Sequence, residues 1–345
     1  MKKVGYCVTG LGVGMAHVKA AAANPNAELV AVCDLRDDRL QKVAAEYPNV
    51  KLYKDFDEML KDPTIDIVSI ALPSAMHGEF AAKALDAGKN ILSEKPIDIT
   101  VERAMQIERA RIRSGKKAGV IFQNRNNPVM QEAKKAVESG KLGKLILGTF
   151  AVKWYRNQKY YDDGGWRGTW AMDGGGSLMN QAVHTVDIMQ WLMGDVASVS
   201  GSYSINNHVI ETEDLTASVI KFKNGATATF VSTTCCNPSR GTFVQLYGSE
   251  GTIEINEDRL EAWKFPNAPA DEEAKMMEKY AKGTAGVVSS DPTLVTGHAS
   301  QVNDIIDAVI NDHDPQVMPT EAMKAVRIIN AVYESSRTGK TIYFD

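Results

Sequence analysis

The sequence predicts an α/β protein of two domains: an N-terminal, doubly wound parallel sheet, then an α+β domain built on a large, mostly antiparallel sheet. Three observations lead there. A chain of 345 residues is long for a single hydrophobic core and points to two domains. Up to Gln123, short apolar runs alternate with helical stretches, as in successive βαβ units. Beyond Gln123, strand patterns follow one another directly, joined by turn signals such as Lys223-Asn224-Gly225. The expected domains are therefore 1–123 and 124–345, with the last helix, about 319–338, packing back on the first.

The expected strands of the first domain are 3–9, 28–33, 51–53, 65–71, 90–93 and 118–122. Several are unbroken apolar runs, for example Ile67-Val68-Ser69-Ile70-Ala71-Leu72, which suits strands covered on both faces. Helices are expected at 78–87 and 101–114, with Gly88 and Gly115 as C-terminal stops. In the second domain a helix at 128–139 leads into a strand at 144–154. A loop rich in Gly and Trp comes next, then a helix at 178–193. Strands are expected at 197–205, 215–222, 227–234, 242–247, 251–256 and 259–264. The polar stretch 266–291 reads as a surface excursion containing a helix. Helices at 300–311 and 320–338 and a short strand at 341–344 close the chain.

Composition narrows the class of function. The formal net charge is −4, without the basic excess of a nucleic-acid or anionic-membrane binder. No stretch reaches the roughly 20 apolar residues of a membrane span. The N-terminal apolar run is broken by Gly10 and Gly12 and lacks a small-residue cleavage site, so it is read as a strand and not a signal peptide. Cys7 and Cys33 fall in expected buried strands, Cys235 and Cys236 are adjacent, and no C-x-x-C occurs. Reduced thiols in a cytoplasmic protein are the expectation. No His/Cys/Asp cluster has metal-ligand spacing, so no metal is expected.

The first strand ends in Thr9-Gly10-Leu11-Gly12-Val13-Gly14-Met15, and a helix begins there. Glycines at such a turn let backbone approach a pyrophosphate, which the helix N-terminus attracts. An acid, Asp34, stands at the end of the second strand, where it can accept from ribose hydroxyls. This is a Rossmann signature, with Gly10, Leu11, Gly12, Val13, Gly14, Asp34, Leu35 and Arg36 as the adenosine-side contacts. Asp34 favours NAD over NADP, and Arg36 weighs the other way. A strict G-x-G-x-x-G would put its third glycine at position 15, which is Met15. Ligands bind beyond the C-terminal ends of parallel strands. Leu72, Pro73 and His77 come after the fourth strand, and Glu94 and Lys95 after the fifth, so all five join the expected cofactor side. Lys95 can hydrogen-bond a substrate hydroxyl and stabilise alkoxide character.

Several stretches together carry a family resemblance. Gly10-Leu11-Gly12, Ala71-Leu72-Pro73 with His77, Ala87 to Pro96 containing Glu94-Lys95-Pro96, and Gly174-Gly175-Gly176 with His184 and Asp187 resemble the Gfo/Idh/MocA oxidoreductases, over nearly the whole chain. The resemblance implies NAD(P)-dependent oxidation or reduction of a sugar-like alcohol, and homodimers or homotetramers formed sheet to sheet. It implies Lys95 as the catalytic lysine and His184 as general acid–base. Many members carry an aspartate four residues before that histidine; here the position is Asn180, and an amide can orient a substrate but cannot take a proton. On a helix, residues four apart share a face, so Asn180 and His184 are expected to reach one ligand. The run Leu178 to His184 is closer to members that oxidise sugar nucleotides or glycosides at a ring carbon.

The chemistry of His184 also stands without the family. Alcohol oxidation releases a proton with the hydride, and imidazole is the natural base near neutrality. Asp187 either orients that ring or caps the helix. His77 lies near the nicotinamide or packs under it, His17 packs beside the phosphate loop, and Arg125 touches substrate or Glu94. Tyr155, Trp166, Arg167 and Trp170 supply aromatic faces and guanidinium groups suited to a sugar, or else an oligomer contact. The reading is an NAD-dependent dehydrogenase of a sugar, cyclitol, glycoside or sugar nucleotide. Its rivals are redox-neutral glycoside cleavage by oxidation, elimination and reduction, and a non-catalytic NAD-binding regulator.

Overall fold

The computed structural model describes residues 3–283 and 297–345. The chain divides into two units, residues 1–123 with 295–323, and residues 124–294 with 324–345. The first contains β1 (Val4–Thr9), α1 (Met15–Ala23), β2 (Ala27–Cys33), α2 (Asp37–Glu46), β3 (Lys51–Tyr53), α3 (Phe56–Leu60), β4 (Ile67–Ile70), α4 (His77–Asp86), β5 (Asn90–Ser93), α5 (Val101–Ser114) and β6 (Ala118–Val120). Its strands run in the order β3-β2-β1-β4-β5-β6. All pairs are parallel, the doubly wound arrangement of a dinucleotide-binding sheet. β4 and β5 are buried at every position, which explains their unbroken apolar sequence. Helix ends obey local chemistry. The Thr100 side chain accepts from the Arg103 N–H to start α5, and Gly115 ends it in the left-handed region at φ 67, where a side chain would be strained.

The second unit contains α6 (Pro128–Glu138), β7 (Leu145–Lys153), α7 (Gln158–Asp162), α8 (Val183–Met193), β8 (Val196–Ser204), β9 (Leu215–Phe222), β10 (Thr227–Thr233), β11 (Gly241–Gly248), β12 (Thr252–Asn256), β13 (Arg259–Lys264) and α9 (Glu272–Tyr280). Then come α10 (His298–Ile310), α11 (Pro319–Thr338) and β14 (Ile342–Tyr343). An eight-stranded sheet runs β13-β12-β11-β7-β10-β9-β8-β14. β7 and β10 pair parallel; the other neighbours are antiparallel. β9 alternates strictly between buried and outward positions. Phe150, Ile220, Phe222, Phe230, Val244 and Leu246 are buried, while Leu147 and Val219 are exposed. The expected excursion at 266–291 does contain a helix, α9; its residues 284–291 lie outside the described part. Among the described residues no helix is long and apolar enough to cross a membrane, and all four cysteines are free thiols.

One boundary differs from the sequence expectation. α10, expected in the second domain, belongs to the first unit, and α11 from Lys324 onward belongs to the second. The reason is burial: Val302, Ile305 and Ile306 of α10 join Val18, Ala21 and Ile121 in one apolar core. Gln301 also satisfies the sheet edge at β6, accepting from the Phe122 N–H (2.6 Å) and donating to the Val120 carbonyl (3.2 Å).

Candidate cofactor and catalytic sites

In the first unit the glycines of the loop after β1 have different causes. Gly10 has φ +85, and a Cβ there would lie 2.3 Å from the Ala71 carbonyl oxygen. A Cβ on Gly14 would lie 2.0 Å from the Gly10 carbonyl oxygen and 2.9 Å from Val8 Cγ1. Gly14 therefore supplies the close strand–helix approach that the third glycine of a dinucleotide loop provides, one position earlier than expected, and Met15 is free to begin α1. Gly12 is different: its nearest neighbour would be Arg39 Nη1 at 3.8 Å. The protein itself leaves that space open, which fits a backbone position kept bare for a phosphate. No side chain caps α1, so its N-terminal dipole stands over the same loop.

Asp34 is fixed from several sides. Its Oδ2 accepts from the Leu11 N–H (2.7 Å) and from Arg39 Nη1 (3.3 Å), and its Oδ1 from the Arg36 N–H (2.9 Å). Arg36 itself turns to Asp38 with two hydrogen bonds at 3.0 and 2.7 Å, while Leu35 is exposed. Arg39 was not anticipated from sequence, although its place in the first turn of α2 brings it within reach of Asp34.

His77 braces two strand exits. Its Nδ1 lies 2.6 Å from the Pro96 carbonyl and its Nε2 2.8 Å from the Leu72 carbonyl. Both ring nitrogens are thus occupied by backbone acceptors. Glu94 is buried and accepts from the two imidazoles His17 Nε2 and His298 Nε2, each at 2.9 Å. Its other oxygen accepts from the Lys95 N–H (3.1 Å). Burial alone would raise the Glu94 carboxyl, but these two histidines hold it well below the usual carboxylate range. On its far side His17 Nδ1 meets Ser69 Oγ (2.9 Å), which meets the Tyr6 hydroxyl (2.6 Å). His17 is thus part of a buried polar chain running from β1 to Glu94. Lys95 is half-buried on the β5 exit.

In the second unit the segment from Gly174 to α8 carries the expected catalytic histidine. Ser177–Gln181 forms a π-helical turn, closed by the Ala182 N–H on the Ser177 carbonyl at 2.9 Å, and α8 starts afresh at Val183. The π turn thus holds Asn180, and His184 follows in the first turn of α8. Asn180 donates to Asp173 Oδ1 (2.5 Å) and accepts from Gln181 Nε2 (2.9 Å). His184, half-buried, is the second residue of α8.

Arg125 and Asp187 form a buried, two-pronged ion pair, Nε to Oδ2 at 2.7 Å and Nη2 to Oδ1 at 2.6 Å. The guanidinium also stands 5.4 Å from the Trp191 ring centre. Of the expected Tyr155, Trp166, Arg167 and Trp170, the loop before Gly174 brings Arg167 and Trp166 together. Arg156, next to Tyr155, donates to Gln181 Oε1 through Nε (3.1 Å) and Nη2 (2.7 Å). Arg156 and Arg167 lie 5.3 and 4.6 Å from the Tyr160 ring centre, and Arg167 is 5.4 Å from the Trp166 ring. Trp170 departs from this group and packs edge-on against Tyr333 (5.2 Å) and Tyr203 (5.6 Å).

Among the described residues two groups of possible metal ligands also gather in space, although sequence spacing gave no sign of them: His17, Glu94 and His298, and His208, Asp214 and Cys235. Both are knit by hydrogen bonds. Asp214 accepts from the backbone N–H groups of Asn206, Asn207 and His208 and from His208 Nδ1. Burial would raise its carboxyl, but these donors bring it down to about 2. Burial pushes the Cys235 thiol up to about 11, away from a thiolate.

Residues 4–122 match the family description "Oxidoreductase family, NAD-binding Rossmann fold" and residues 134–344 match "Oxidoreductase family, C-terminal alpha/beta domain". The scyllo-inositol 2-dehydrogenase (NAD(+)) of Bacillus subtilis (strain 168) is 31% identical over 264 residues, covering 73% of this chain and 74% of the relative. The WlbA dehydrogenase from Bordetella pertussis, solved with NADH and UDP-GlcNAcA, superposes with a TM-score of 0.89 at 28% identity, over 100% of this chain and 99% of that one. The WlbA dehydrogenase from Chromobacterium violaceum, solved with the same two ligands, gives 0.91 at 26% identity, over 100% and 97%.

Proposed function

The chain belongs to the Gfo/Idh/MocA oxidoreductase family, and on that premise we propose that it oxidises a ring hydroxyl of a carbohydrate with NAD as the hydride acceptor. The observation that carries this reading is the open space at Gly12 beside Asp34 and the uncapped start of α1. A bound NAD supplies an electrophilic ring that accepts a hydride; the rest falls to the protein. Gly10–Gly14 and the α1 N-terminus hold the pyrophosphate, and Asp34 accepts from the adenosine ribose and disfavours a 2′-phosphate. Lys95 donates to the reacting oxygen and steadies its developing negative charge. His184 takes the hydroxyl proton.

The pair of guanidinium groups on Tyr160 supports a substrate with an anionic part, such as a sugar nucleotide or an acidic sugar, since arginine suits phosphate and carboxylate oxygens. The similarity to dehydrogenases solved with UDP-GlcNAcA leans the same way. Four free thiols support a reducing, cytoplasmic setting. The outward residues Leu147 and Val219 support self-association as a homodimer or homotetramer, which light scattering of the purified protein reads directly.

The test is a panel of UDP-sugars, uronic acids, inositols and alkyl glycosides with NAD⁺ and with NADP⁺, tracking nicotinamide reduction and substrate mass together. Reduction of NAD⁺ by an acidic or nucleotide-linked sugar is expected, with losses of about 100-fold or more in Lys95→Ala and in His184→Ala. Turnover undiminished in either variant would overturn the assigned roles. A changed substrate mass without net reduction would replace net oxidation by redox-neutral cleavage.

A further inference from the structure

Glu213, just ahead of β9, is fully buried and grips the turn that leads to His184. Its Oε1 accepts from the Gly176 N–H (3.1 Å), the Leu178 N–H (3.0 Å) and the Tyr333 hydroxyl (2.5 Å). Its Oε2 accepts from the Ser177 N–H (2.5 Å). The two flanking glycines are explained by this grip. A Cβ on Gly176 would lie 1.9 Å from the Glu213 carbonyl oxygen, and one on Gly175 would lie 2.1 Å from the Tyr333 hydroxyl. The clasped residues open the π turn that holds Asn180, and α8 with His184 comes directly after it.

We propose that Glu213 and Tyr333 are positioning residues for His184: together they clasp the start of the segment that presents the imidazole, and turnover depends on that clasp. The inference rests on the reading of His184 as the proton acceptor. A purely structural role is a poor explanation of these residue types. A buried carboxylate costs desolvation, and well-packed apolar groups hold loops at least as firmly. A carboxylate adds direction: it fixes three successive backbone N–H groups and a phenol at once, and with them the orientation of the π turn and the start of α8. Burial pushes its carboxyl up to about 7, the visible cost of that arrangement. Catalysis tolerates little misplacement, since a shift of about 1 Å in a catalytic group costs on the order of 100-fold in rate.

The experiment compares Glu213→Gln, Tyr333→Phe and His184→Ala in the full chain. It uses the best substrate of the panel of sugars and inositols, with melting temperature and NAD⁺ titration measured alongside. Glu213→Gln sets an amide NH₂ against the Ser177 N–H, so two donors face each other. The expected result is kcat at least about 10-fold lower, an unchanged KM for NAD⁺ and a larger substrate deuterium isotope effect on kcat/KM. Tyr333→Phe removes one donor, with an expected loss of a few-fold and the same isotope-effect trend. It decides the matter should Glu213→Gln fail to fold. Wild-type kcat and isotope effect in the folded variants, with His184→Ala inactive, would overturn the inference and leave the function standing. An active His184→Ala would remove both.

Discussion

Both candidate sites begin on a run of glycines, and the two runs serve opposite ends. In the first unit Gly12 faces space that the protein leaves unfilled, its nearest would-be contact being Arg39 at 3.8 Å. In the second unit Gly175 and Gly176 face Tyr333 and Glu213, side chains and backbone of the same unit that already fill the space. A glycine with open space beside it, proposed here as a ligand contact, and a glycine pressed against a neighbour look the same in sequence. The buried glutamates beside the two runs differ in the same spirit. Glu94 meets imidazoles, which can carry charge, and its carboxyl stays well below the usual range. Glu213 meets only dipoles, three amides and a phenol, and burial prevails.

The most damaging substitution should be Gly176→Ala. Its Cβ would strike the Glu213 carbonyl, and neither backbone can retreat cheaply. A loss on the order of 4 kcal/mol is expected, the range reserved for severe core or backbone insults, read as a lowered melting temperature without any ligand. Gly12→Ala should leave the melting temperature of the ligand-free protein unchanged and weaken NAD⁺ binding about 10-fold or more, read by fluorescence titration. Should both variants melt alike, or should Gly12→Ala bind NAD⁺ normally, the contrast between the two loops is lost.

The two glutamates make a pH prediction of opposite sign. The folded Glu213 carboxyl, at about 7, lies above its ordinary 4.5, so the native state binds the proton more tightly than the unfolded one. Its stabilising contribution is full below about pH 4.5 and declines as pH rises through 7, by about 3 kcal/mol at most. Glu94 runs the other way: its contribution is full above the ordinary carboxylate range and is lost as pH falls below it. Melting curves of Glu213→Gln and Glu94→Gln against wild type from pH 5 to 8 should therefore differ. The gain of Glu213→Gln relative to wild type should grow with pH over this range, whereas that of Glu94→Gln should stay nearly flat. Parallel curves would mean that the partners of the two carboxylates do not matter as argued.

The first unit was legible because its signals are local. Unbroken apolar runs, the loop Gly10–Gly14 and the strand-end acid Asp34 each lie within a few residues of the parts they position. The assignment of α10 was not legible, since its apolar face pairs with α1 and β6 only in three dimensions. In the second unit the strands could be read from alternation and turns, but the clasp could not. Glu213-Asp214 reads as an ordinary polar loop, and nothing near Ser177 announces a π turn whose start is held by a residue 36 positions later. The His17, Glu94 and His298 group escaped for the same reason: its members come from α1, the β5 exit and α10. The one local sign of the clasp was Gly174-Gly175-Gly176, a run that in sequence counted only toward the family resemblance.

The smallest effects should come from the adenosine side, where two residues weighed against each other in sequence now separate. Asp34 is anchored by the Leu11 and Arg36 N–H groups and by Arg39, which would preorganise its carboxylate for the ribose contact proposed above. Asp34→Ala should weaken NAD⁺ by about 10-fold, the worth of a good charged hydrogen bond, and narrow the preference over NADP⁺. Arg36 is exposed and already holds Asp38 through both Nε and Nη2. Recruiting it to a 2′-phosphate would mean giving up that pair, so Arg36→Ala should change either cofactor's KM by less than about 2-fold, as expected for an exposed ion pair. A large loss of NADP⁺ binding in Arg36→Ala would show that the arginine leaves Asp38 when phosphate arrives. The preference for NAD would then rest on Asp34 alone.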